Sequence, residues 1–326
     1  MLTIILPILN EGKYISRCLD SVLAQDYPLQ EMEILLIDGM SEDDTRLIIH
    51  EYQEKYSAIK LIDNPSRTVP YALNIGIKAA TGDVIIRMDA HADYPSNYLS
   101  SLCRQLSALQ ADNVGCVCKT DVLHKNAKSL AIREVLCNRF GVGNSTFRLG
   151  CSEVKQVDTV PFGCFPKKTF DTYGLFDERL SRNQDIEMNK RIIRKGGKIF
   201  LVPDTYCTYY ARETYKDLIH NNFSNGMWNI LTVYYTREFN SLSIRHFVPL
   251  AFALSIFFCL AFSLIHVLPL ILLLGVYSCL IGIISLLLSY KKKLNFFYLL
   301  VTFPILHISY GIGSMVGILR ILFNRV

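Results

Sequence analysis

Short apolar runs alternate with helical patterns over the first third of the chain. Four runs have the length and composition of buried strands, and they lie at 3–6, 33–37, 59–62 and 84–88. Between them, apolar residues recur every three to four positions, as on one face of a helix. The predicted helices lie at 13–24, 45–56 and 69–80, the second with capping residues at 41–44. Strands that alternate with helices indicate an open, doubly wound α/β sheet.

Polar side chains follow three of these predicted strands directly. Asn10 and Glu11 follow the first strand, Asp38 ends the second, and Asp89 and His91 follow the fourth. In open α/β sheets, ligands bind beyond the carboxyl ends of the strands. The sequence therefore predicts one crevice that these side chains line together.

The segment 87–94 holds three possible ligands of a divalent cation, Asp89, His91 and Asp93. Carboxylates and imidazole in this arrangement can hold a cation beside a phosphate. A polar strand end is also common in solvated turns. Both interpretations of this segment are open on its sequence alone.

The pattern continues with less regular spacing after residue 95. Helices are predicted at 98–109 and 186–195, and strands at 114–117, 159–165 and 198–202. Polar residues at 182–185 precede the later helix, and Gly196 with Gly197 ends it, which is a typical C-terminal stop. Residues 124–156 give no consistent pattern.

The last eighty residues are mostly apolar. Two stretches, about 247–267 and 270–290, contain no Asp, Glu, Lys or Arg, and each approaches the roughly 20 residues that a helix needs to cross a bilayer. Lysines at 291–293 follow, and the positive-inside rule places them in the cytoplasm. A third stretch, 294–319, is predicted to cross as well, although Pro304 and three glycines also fit a re-entrant or interfacial helix. Before these stretches, 213–240 is amphipathic and rich in aromatic residues, as helices at the membrane interface are.

Composition and charge exclude several classes of protein. The formal net charge of +5 over 326 residues is too small to indicate a nucleic-acid partner. Ten cysteines show neither a zinc-binding spacing nor a disulfide framework, which fits a reducing compartment. The apolar run at 1–6 is too short for a signal peptide, so we expect the globular part to be cytoplasmic.

Four segments resemble the signature blocks of family 2 glycosyltransferases, in the family's order. They are ILPILNE at 5–11, IDGMSEDDT at 37–45, RMDAH at 87–91 and NQD at 183–185. The resemblance covers about 1–235, and the variants in these blocks are most similar to bacterial succinoglycan-type exopolysaccharide enzymes. It implies a GT-A nucleotide-diphospho-sugar transferase fold, a doubly wound mixed sheet, followed by C-terminal transmembrane helices. The expected domains are a catalytic domain at 1–212, an interfacial segment at 213–245 and a membrane domain at 246–326.

The resemblance also implies roles for the residues that match these blocks. Asp38 matches the acid that recognises the nucleotide base, Glu11 the acid near the ribose, and Arg67 a basic position near the nucleotide or its phosphates. Asp89 and His91 match the first and last positions of the family's Asp-x-Asp motif, where the first acid approaches the donor and the last ligates the metal. Pro7, in the first block, is assigned to the donor site with them.

The predicted catalytic base is Asp185, which matches the family's general base. Gln184 precedes it, where family members often have Glu. Processive members carry a Gln-x-x-Arg-Trp block, but the corresponding stretch here, 225–228, has Trp228 without the Arg, which favours addition of a single sugar. Trp228 fits an acceptor-stacking position and a membrane-interface position equally.

The predicted function is inverting, metal-dependent transfer of one sugar from a nucleotide-diphosphate sugar, with a UDP-sugar expected. The expected acceptor is a polyprenyl-diphosphate-linked oligosaccharide in surface polysaccharide biosynthesis, and the expected location is multi-pass, with catalysis at the cytoplasmic face of the plasma membrane. The expected cofactor is a divalent cation, Mn or Mg. His91 stands where the family usually has an acid, and because imidazole can ligate Mn but Mg prefers oxygen ligands, the choice between the two metals is open. Direct transfer to polyprenyl phosphate and a non-catalytic nucleotide-sugar-binding membrane subunit are the alternatives. Asp89 and Asp185 argue against the second alternative, and the lack of a Gly-rich basic loop after the first strand argues against a nucleotidyltransferase.

Overall fold

The computed structural model describes residues 1–323 and consists of two compact units. Unit 1 comprises residues 1–119 and 146–209, and unit 2 comprises residues 120–145 together with the chain from 210 onward. Residues 324–326 of the predicted membrane domain lie outside the described residues. The segment 120–145, where the sequence showed no consistent pattern, thus belongs to the same unit as the apolar C-terminal part.

Nine strands and thirteen α-helices are formed by the described residues. The strands are β1 Leu2–Ile8, β2 Met32–Asp38, β3 Ile59–Asp63, β4 Val84–Arg87, β5 Ala92–Asp93, β6 Asn113–Asp121, β7 Lys155–Gln156, β8 Cys164–Pro166 and β9 Ile199–Tyr210. The helices are α1 Ile15–Leu23, α2 Thr45–Gln53, α3 Val69–Ala79, α4 Tyr98–Leu109, α5 Ala127–Leu136, α6 Arg139–Val142, α7 Thr146–Leu149, α8 Lys168–Tyr173, α9 Gln184–Arg194, α10 Tyr215–Thr236, α11 Val248–Phe262, α12 Leu268–Lys292 and α13 Phe296–Leu322. Short 3₁₀ turns lie at Leu29–Glu31, Phe239–Ser241 and Ile244–His246.

The sheet of unit 1 is mixed, and its strand order is β3-β2-β1-β4-β8-β6-β9-β5, with β7 beside β9. The strands β3, β2, β1 and β4 run parallel, and β8 pairs antiparallel with β4. In register, Ile8 of β1 lies beside Asp38 of β2, which lies beside Asp63 of β3. The loops that follow these strands therefore leave the sheet at one edge, and the predicted doubly wound mixed sheet is confirmed.

Both faces of this sheet are buried, as its continuous apolar strands require. Ile4 and Leu6 of β1 pack on the face covered by α1, whereas Ile5 packs on the face covered by α3. The helix α3 approaches closely at Gly76, where a Cβ atom would lie 2.7 Å from the Ile5 side chain. Alternate side chains of one strand thus join two separate cores.

Two local predictions are wrong, and in both cases the loop geometry explains why. Ser41 does not cap α2, because its hydroxyl donates to Asp38 Oδ1 at 2.5 Å and accepts from the Asn10 N–H at 2.8 Å. The strand predicted at 159–165 shrinks to Cys164–Pro166. Phe162 and Gly163 have φ angles of 60° and 99°, which end the extended conformation there.

Unit 2 is a helical bundle in which α10 packs directly against α13. A Cβ atom on Gly226 would lie 1.9 Å from the Tyr310 carbonyl oxygen, and one on Gly313 would lie 1.9 Å from the Phe223 carbonyl oxygen. Such close backbone contact needs small residues on both helices. From the other segment of the unit, Ala131 and Val135 of α5 join an apolar cluster with α12 and α13.

Three C-terminal helices are long and apolar enough to cross a membrane. They lie at Ile244–Phe262, Leu268–Lys292 and Phe296–Leu322, with mean hydropathies of 1.9, 2.6 and 1.6. Within an apolar 18-residue stretch of each helix, 44% of the third helix is buried within the protein, compared with 6% of the first and 17% of the second. It is therefore the central helix of the bundle, and the first two present most of the exposed apolar surface.

Candidate active site

The loop after β2 is ordered around the Asp38 carboxylate. Asp38 is fully buried, and it accepts hydrogen bonds from the Ser41 N–H, the Ser41 hydroxyl and Arg46 Nη1, the last at 2.6 Å. Arg46 Nη1 also bonds Asp63 Oδ1 at the end of β3, at 2.8 Å. Asp38 thus fixes the shape of the loop, and its contact with a nucleotide base stays a prediction.

The loop after β1 is tied to the segment after β4 through Glu11 and His91. Glu11 Oε1 lies 2.9 Å from His91 Nε2, and the Tyr14 ring meets the imidazole edge-on at 4.8 Å between centroids. The Glu11 N–H donates to Thr45 Oγ1 at 2.7 Å. Glu11 is buried, and its Oε2 has no hydrogen-bond partner among residues 1–323. A buried carboxylate oxygen without a partner is costly, so this atom is suited to a ligand.

Arg87 connects two of the predicted site carboxylates, Asp89 and Asp185. Its Nε and Nη2 donate to Asp89 at 3.2 and 3.3 Å, and its Nη1 lies 3.9 Å from Asp185 Oδ2. The Arg87 side chain is only 9% exposed, whereas those of Asp89 and Asp185 are 31% and 32% exposed. Burial acts to lower the pKa of Arg87, but the two carboxylates outweigh it and raise that pKa. The guanidinium is therefore a permanent positive charge between them.

Left-handed backbone conformations are concentrated in the loops around this cluster. Among the described residues, eight other than glycine have a left-handed φ. Three of them end the helices α4, α10 and α12, and the other five, with φ between 56° and 63°, are Asn10, Met40, Arg67, Phe162 and Asn183. Each of these five lies after β1, β2 or β3, before β8, or directly before α9. Such conformations are strained for residues with a side chain and gather at functional sites. The backbone thus points to the same region as the side chains.

Other residues of the predicted site have mixed surroundings. Arg67 is paired with Glu42 at 3.1 Å on the surface, and Asp93 is ion-paired with Arg17. Pro7 lies within β1 opposite Ile37, next to the loop that holds Glu11. Unit 1 thus forms two contact groups around the predicted residues, Glu11 with His91 and Arg87 with Asp89 and Asp185. The short segment 89–91 joins the two groups along the chain.

Trp228 lies in α10 of unit 2 and is half-buried. Gly226, in the stretch that corresponds to the processive block, instead forms the close contact with α13. The structure thus gives this stretch a packing role, and a role of Trp228 toward an acceptor stays a prediction.

The donor atoms around Asp89 and His91 fit a divalent cation only in part. Among residues 1–323, no three His, Cys, Asp or Glu side chains converge on one point. Asp89 faces Arg87 and His91 faces Glu11, while the partnerless Glu11 Oε2 is a further oxygen close to His91. Carboxylate and imidazole suit Mn. The described residues therefore form no complete cation site, and a metal role for Asp89 and His91 stays a prediction.

Comparison with known proteins settles the family. Residues 3–164 match the family described as Glycosyl transferase family 2. The dolichyl N-acetyl-alpha-D-glucosaminyl phosphate 3-beta-D-2,3-diacetamido-2,3-dideoxy-beta-D-glucuronosyltransferase of Methanococcus voltae is 32% identical over 230 residues, which cover 69% of this chain and 71% of that protein. The chain belongs to glycosyl transferase family 2. The predicted enzyme class, a glycosyltransferase, is thereby confirmed.

Two further similarities concern the family and the fold. The succinoglycan biosynthesis protein ExoA of Rhizobium meliloti is 27% identical over 252 residues, which cover 77% of this chain and 74% of that protein. The mannosyltransferase PcManGT from Pyrobaculum calidifontis, solved in complex with GDP-Man and Mn2+, is 17% identical with a TM-score of 0.67, and the match covers 100% of this chain and 88% of that chain. The second likeness confirms the predicted GT-A fold.

Arg87 is the residue of this site that sequence reasoning missed. It sits in a signature block, yet the resemblance assigns it no role. A signal was present, because Arg87 ends an otherwise apolar buried strand. A charged side chain at such a position must be paired, and the nearest acids in the pattern were Asp89 and its neighbours.

Proposed function

We propose that this glycosyltransferase moves one sugar, with inversion at the anomeric carbon, from a nucleotide-diphosphate sugar to a lipid-linked acceptor. We take a UDP-sugar as the donor and a polyprenyl-diphosphate-linked oligosaccharide of surface polysaccharide biosynthesis as the acceptor. The observation that carries the chemistry is the Arg87 contact, which gathers Asp89 and Asp185 at the carboxyl edge of the sheet. A donor-binding acid and a base must lie close together for direct displacement.

In this mechanism, Asp185 accepts the proton of the acceptor hydroxyl. The acceptor oxygen bonds to the anomeric carbon while the bond from that carbon to the diphosphate breaks, and its electron pair leaves on the nucleoside diphosphate. Asp185 Oδ1 accepts the Ile186 N–H at 3.1 Å, so one oxygen is anchored at the start of α9 while Oδ2 points to Arg87. Because an Asp is a weak base, proton transfer is expected late, as the hydroxyl becomes acidic.

We assign the donor side to Pro7, Glu11, Asp38, Arg67 and Asp89. The cation would be held by Asp89 and His91, with Mn preferred over Mg because an imidazole replaces a carboxylate. When bound, it would neutralise charge on the departing diphosphate. Support comes from Glu11, whose Oε1 lies beside His91 and whose Oε2 is buried without a hydrogen-bond partner among the described residues. A bound ligand could supply the contact that Oε2 lacks.

We also propose that the protein is multi-pass and works at the cytoplasmic face of the plasma membrane. Support comes from the three apolar helices and from lysines 291–293 at the end of the second helix. A lipid-linked acceptor carries its reactive sugar at the membrane surface, so membrane anchoring raises its effective concentration. We propose that Trp228, which lies in the membrane unit, either stacks on the acceptor sugar or lies at the membrane interface.

The test uses the full-length chain in membranes with UDP-, GDP- and dTDP-sugars and with Mn or Mg. Nucleotide release and the mass of the extracted lipid product are measured for the native protein and for Asp185→Asn. We expect the variant to lose about 10²–10⁴-fold in rate. Equal rates would show that Asp185 is not the base. A product that carries a sugar on lipid monophosphate with no prior sugar would replace our acceptor with polyprenyl phosphate, and no transfer at all would favour a binding subunit.

A further inference from the structure

Arg87 is held rigidly where the parallel strand β4 ends. Its N–H donates to the Gly163 carbonyl at 3.1 Å, which fixes the backbone next to β8. The Phe162 ring lies over the guanidinium at 5.7 Å, and Phe162 has a left-handed φ of 60°. A bulky residue in this conformation is strained, so the fold sustains a cost to keep the ring in this place. The side chain of Arg87 is thereby shielded from water.

The three nitrogen atoms of the Arg87 guanidinium differ in their hydrogen bonding. Nε and Nη2 bond Asp89, whereas Nη1 is buried without a hydrogen-bond partner among residues 1–323. Nη1 faces Asp185 Oδ2 at 3.9 Å, which is too long for a hydrogen bond. A small movement of either side chain would close the pair.

Arg191 shows what an arginine with a purely structural role looks like in this fold. It lies on α9, the helix that begins beside Asp185, and it is also mostly buried. Its Nε and Nη2 bond Glu187 at 3.0 and 2.6 Å, and its Nη1 bonds the carbonyls of Tyr173 and Leu175, both at 2.9 Å. All three of its guanidinium nitrogens thus make hydrogen bonds, whereas Nη1 of Arg87 makes none within residues 1–323. An unmade bond to a buried charged donor is expensive, so its persistence suggests use during the reaction.

We infer that Arg87 is a positioning residue for sugar transfer. With Asp89 bound to one side of the guanidinium, Nη1 is left for the Asp185 carboxylate. Closure of this pair fixes Asp185 Oδ2 while the Ile186 N–H holds Oδ1, so the plane of the carboxylate, and with it the direction of the lone pairs that remain on each oxygen, is fixed. The arrangement also joins the donor-binding acid to the base, so each is ordered by the other. This inference rests on the proposed role of Asp185 as base.

The experiment is a double-mutant cycle on the full-length protein in membranes. Arg87→Met and Arg191→Met are each made in the native background and with Asp185→Glu, and kcat and the KM values for donor and acceptor are measured. In the native background, Arg87→Met is expected to lower kcat by about 10²-fold, the scale of a misplaced catalytic group. With Asp185→Glu, whose longer side chain already misplaces the carboxylate, it should lower kcat by less than about 5-fold, since residues that act as a unit are not additive.

The controls separate positioning from folding. Arg191→Met should reduce thermal stability and change kcat by the same small factor in both backgrounds. Arg87→Lys keeps the charge but cannot bond two carboxylates at once, so its kcat should stay within about tenfold of Arg87→Met. It also carries the test if the methionine variant does not fold.

Three results would overturn the inference. One is an equal loss from Arg87→Met in both Asp185 backgrounds, and another is a native kcat in Arg87→Lys. The third is an effect of Arg87→Met on donor KM alone, which would show that Arg87 acts only through Asp89 in donor binding. Failure of the proposed function gives a different result. If Asp185→Asn is fully active, Asp185 is not the base, whatever the double-mutant cycle shows.

Discussion

Glu33→Gln should destabilise the protein strongly without touching the chemistry. Glu33 lies at the amino end of β2, the edge of the sheet opposite the candidate site, and is buried. Its Oε1 accepts from Thr3 Oγ1 at 2.6 Å and from the N–H and hydroxyl of Thr81 at 2.5 and 2.8 Å, and its Oε2 pairs with Lys60 at 3.2 Å. Burial acts to raise the pKa of Glu33, but these hydrogen bonds outweigh it and lower the pKa to about 2.

The lowered pKa gives the size and the sign of the effect. A shift from 4.5 to about 2 corresponds to about 3 kcal/mol of folding free energy, since each pKa unit is worth about 1.4 kcal/mol. Because the folded-state pKa is the lower one, this contribution is complete above about pH 4.5 and is lost as the pH falls toward 2. Gln cannot reproduce it at any pH, so the variant should differ from the native protein at pH 7 and approach it at low pH.

The assay is thermal unfolding of the full chain in detergent, followed by circular dichroism at pH 7 and at pH 3. At about 2–4 °C for each kcal/mol, Glu33→Gln should lower the melting temperature of unit 1 by about 6–12 °C at pH 7 and by clearly less at pH 3. Glu54→Gln, at an exposed glutamate of α2's end, is the matched control and should do nothing. A Glu33→Gln protein as stable as the native one at pH 7, or a deficit that is the same at both pH values, would refute the reasoning.

Two further predictions concern the cation and the membrane unit. Chelation of divalent cations should abolish transfer, and His91→Asp should raise the rate with Mg relative to Mn because it restores an oxygen ligand; an unchanged metal preference would exclude His91 as a ligand. Gly226→Leu should separate α10 from α13, since a Cβ atom already meets the Tyr310 carbonyl at 1.9 Å, and should lower the melting temperature in detergent. Gly275→Leu is its control, because a Cβ atom at Gly275 meets nothing within 4 Å, and equal effects of the two variants would contradict the packing argument.

Apolar periodicity predicted most of the catalytic fold because burial is the property that it measures. The strands at β1, β2, β3 and β4 and the helix at Tyr98–Leu109 lie where the pattern placed them. Periodicity does not encode contacts with partners far along the chain. Asn74, for example, lies in a helix that the pattern predicted, but it is buried because it bonds the backbone of Phe176, 102 residues away.

Parts of unit 2 were hidden for a related reason. The helix α5 is only weakly patterned, and it is ordered by an apolar cluster with helices that begin more than 130 residues later. The helix α10 has the aromatic composition of an interfacial helix, yet Gly226 places its backbone against α13. The composition of α10 describes its side chains. Its packing against α13 depends instead on Gly226, which has no side chain.

The candidate site could be predicted as a set of residues but not as a set of contacts. The acids after the strands were identifiable, because strand ends meet at one sheet edge. Which of them are paired was not identifiable. Asp38 is fully enclosed by Ser41 and Arg46, whereas Asp185 is bonded on one oxygen only and faces Arg87 with the other.

Several of the unmet hydrogen bonds among the described residues lie at the carboxyl edge of the sheet. At the amino edge, Glu33 is buried with both oxygens bonded, as a group selected for stability should be. At the carboxyl edge, partnerless buried atoms occur in the loops after β1, β3 and β4 and beside Asp185, and they belong to Glu11, Asn64, Thr68, Arg87 and Gln184. Unmet bonds reduce stability, and at these loops a bound ligand could restore the lost contacts. Asn113 at the start of β6 and Ser285 within α12 also carry a buried oxygen without a partner among the described residues, so an unmet bond alone does not mark a binding site. The carboxyl edge thus combines a fully bonded pair, Asp38 with Arg46, and the incompletely bonded groups of Glu11 and Arg87, and we expect a ligand to meet the second set.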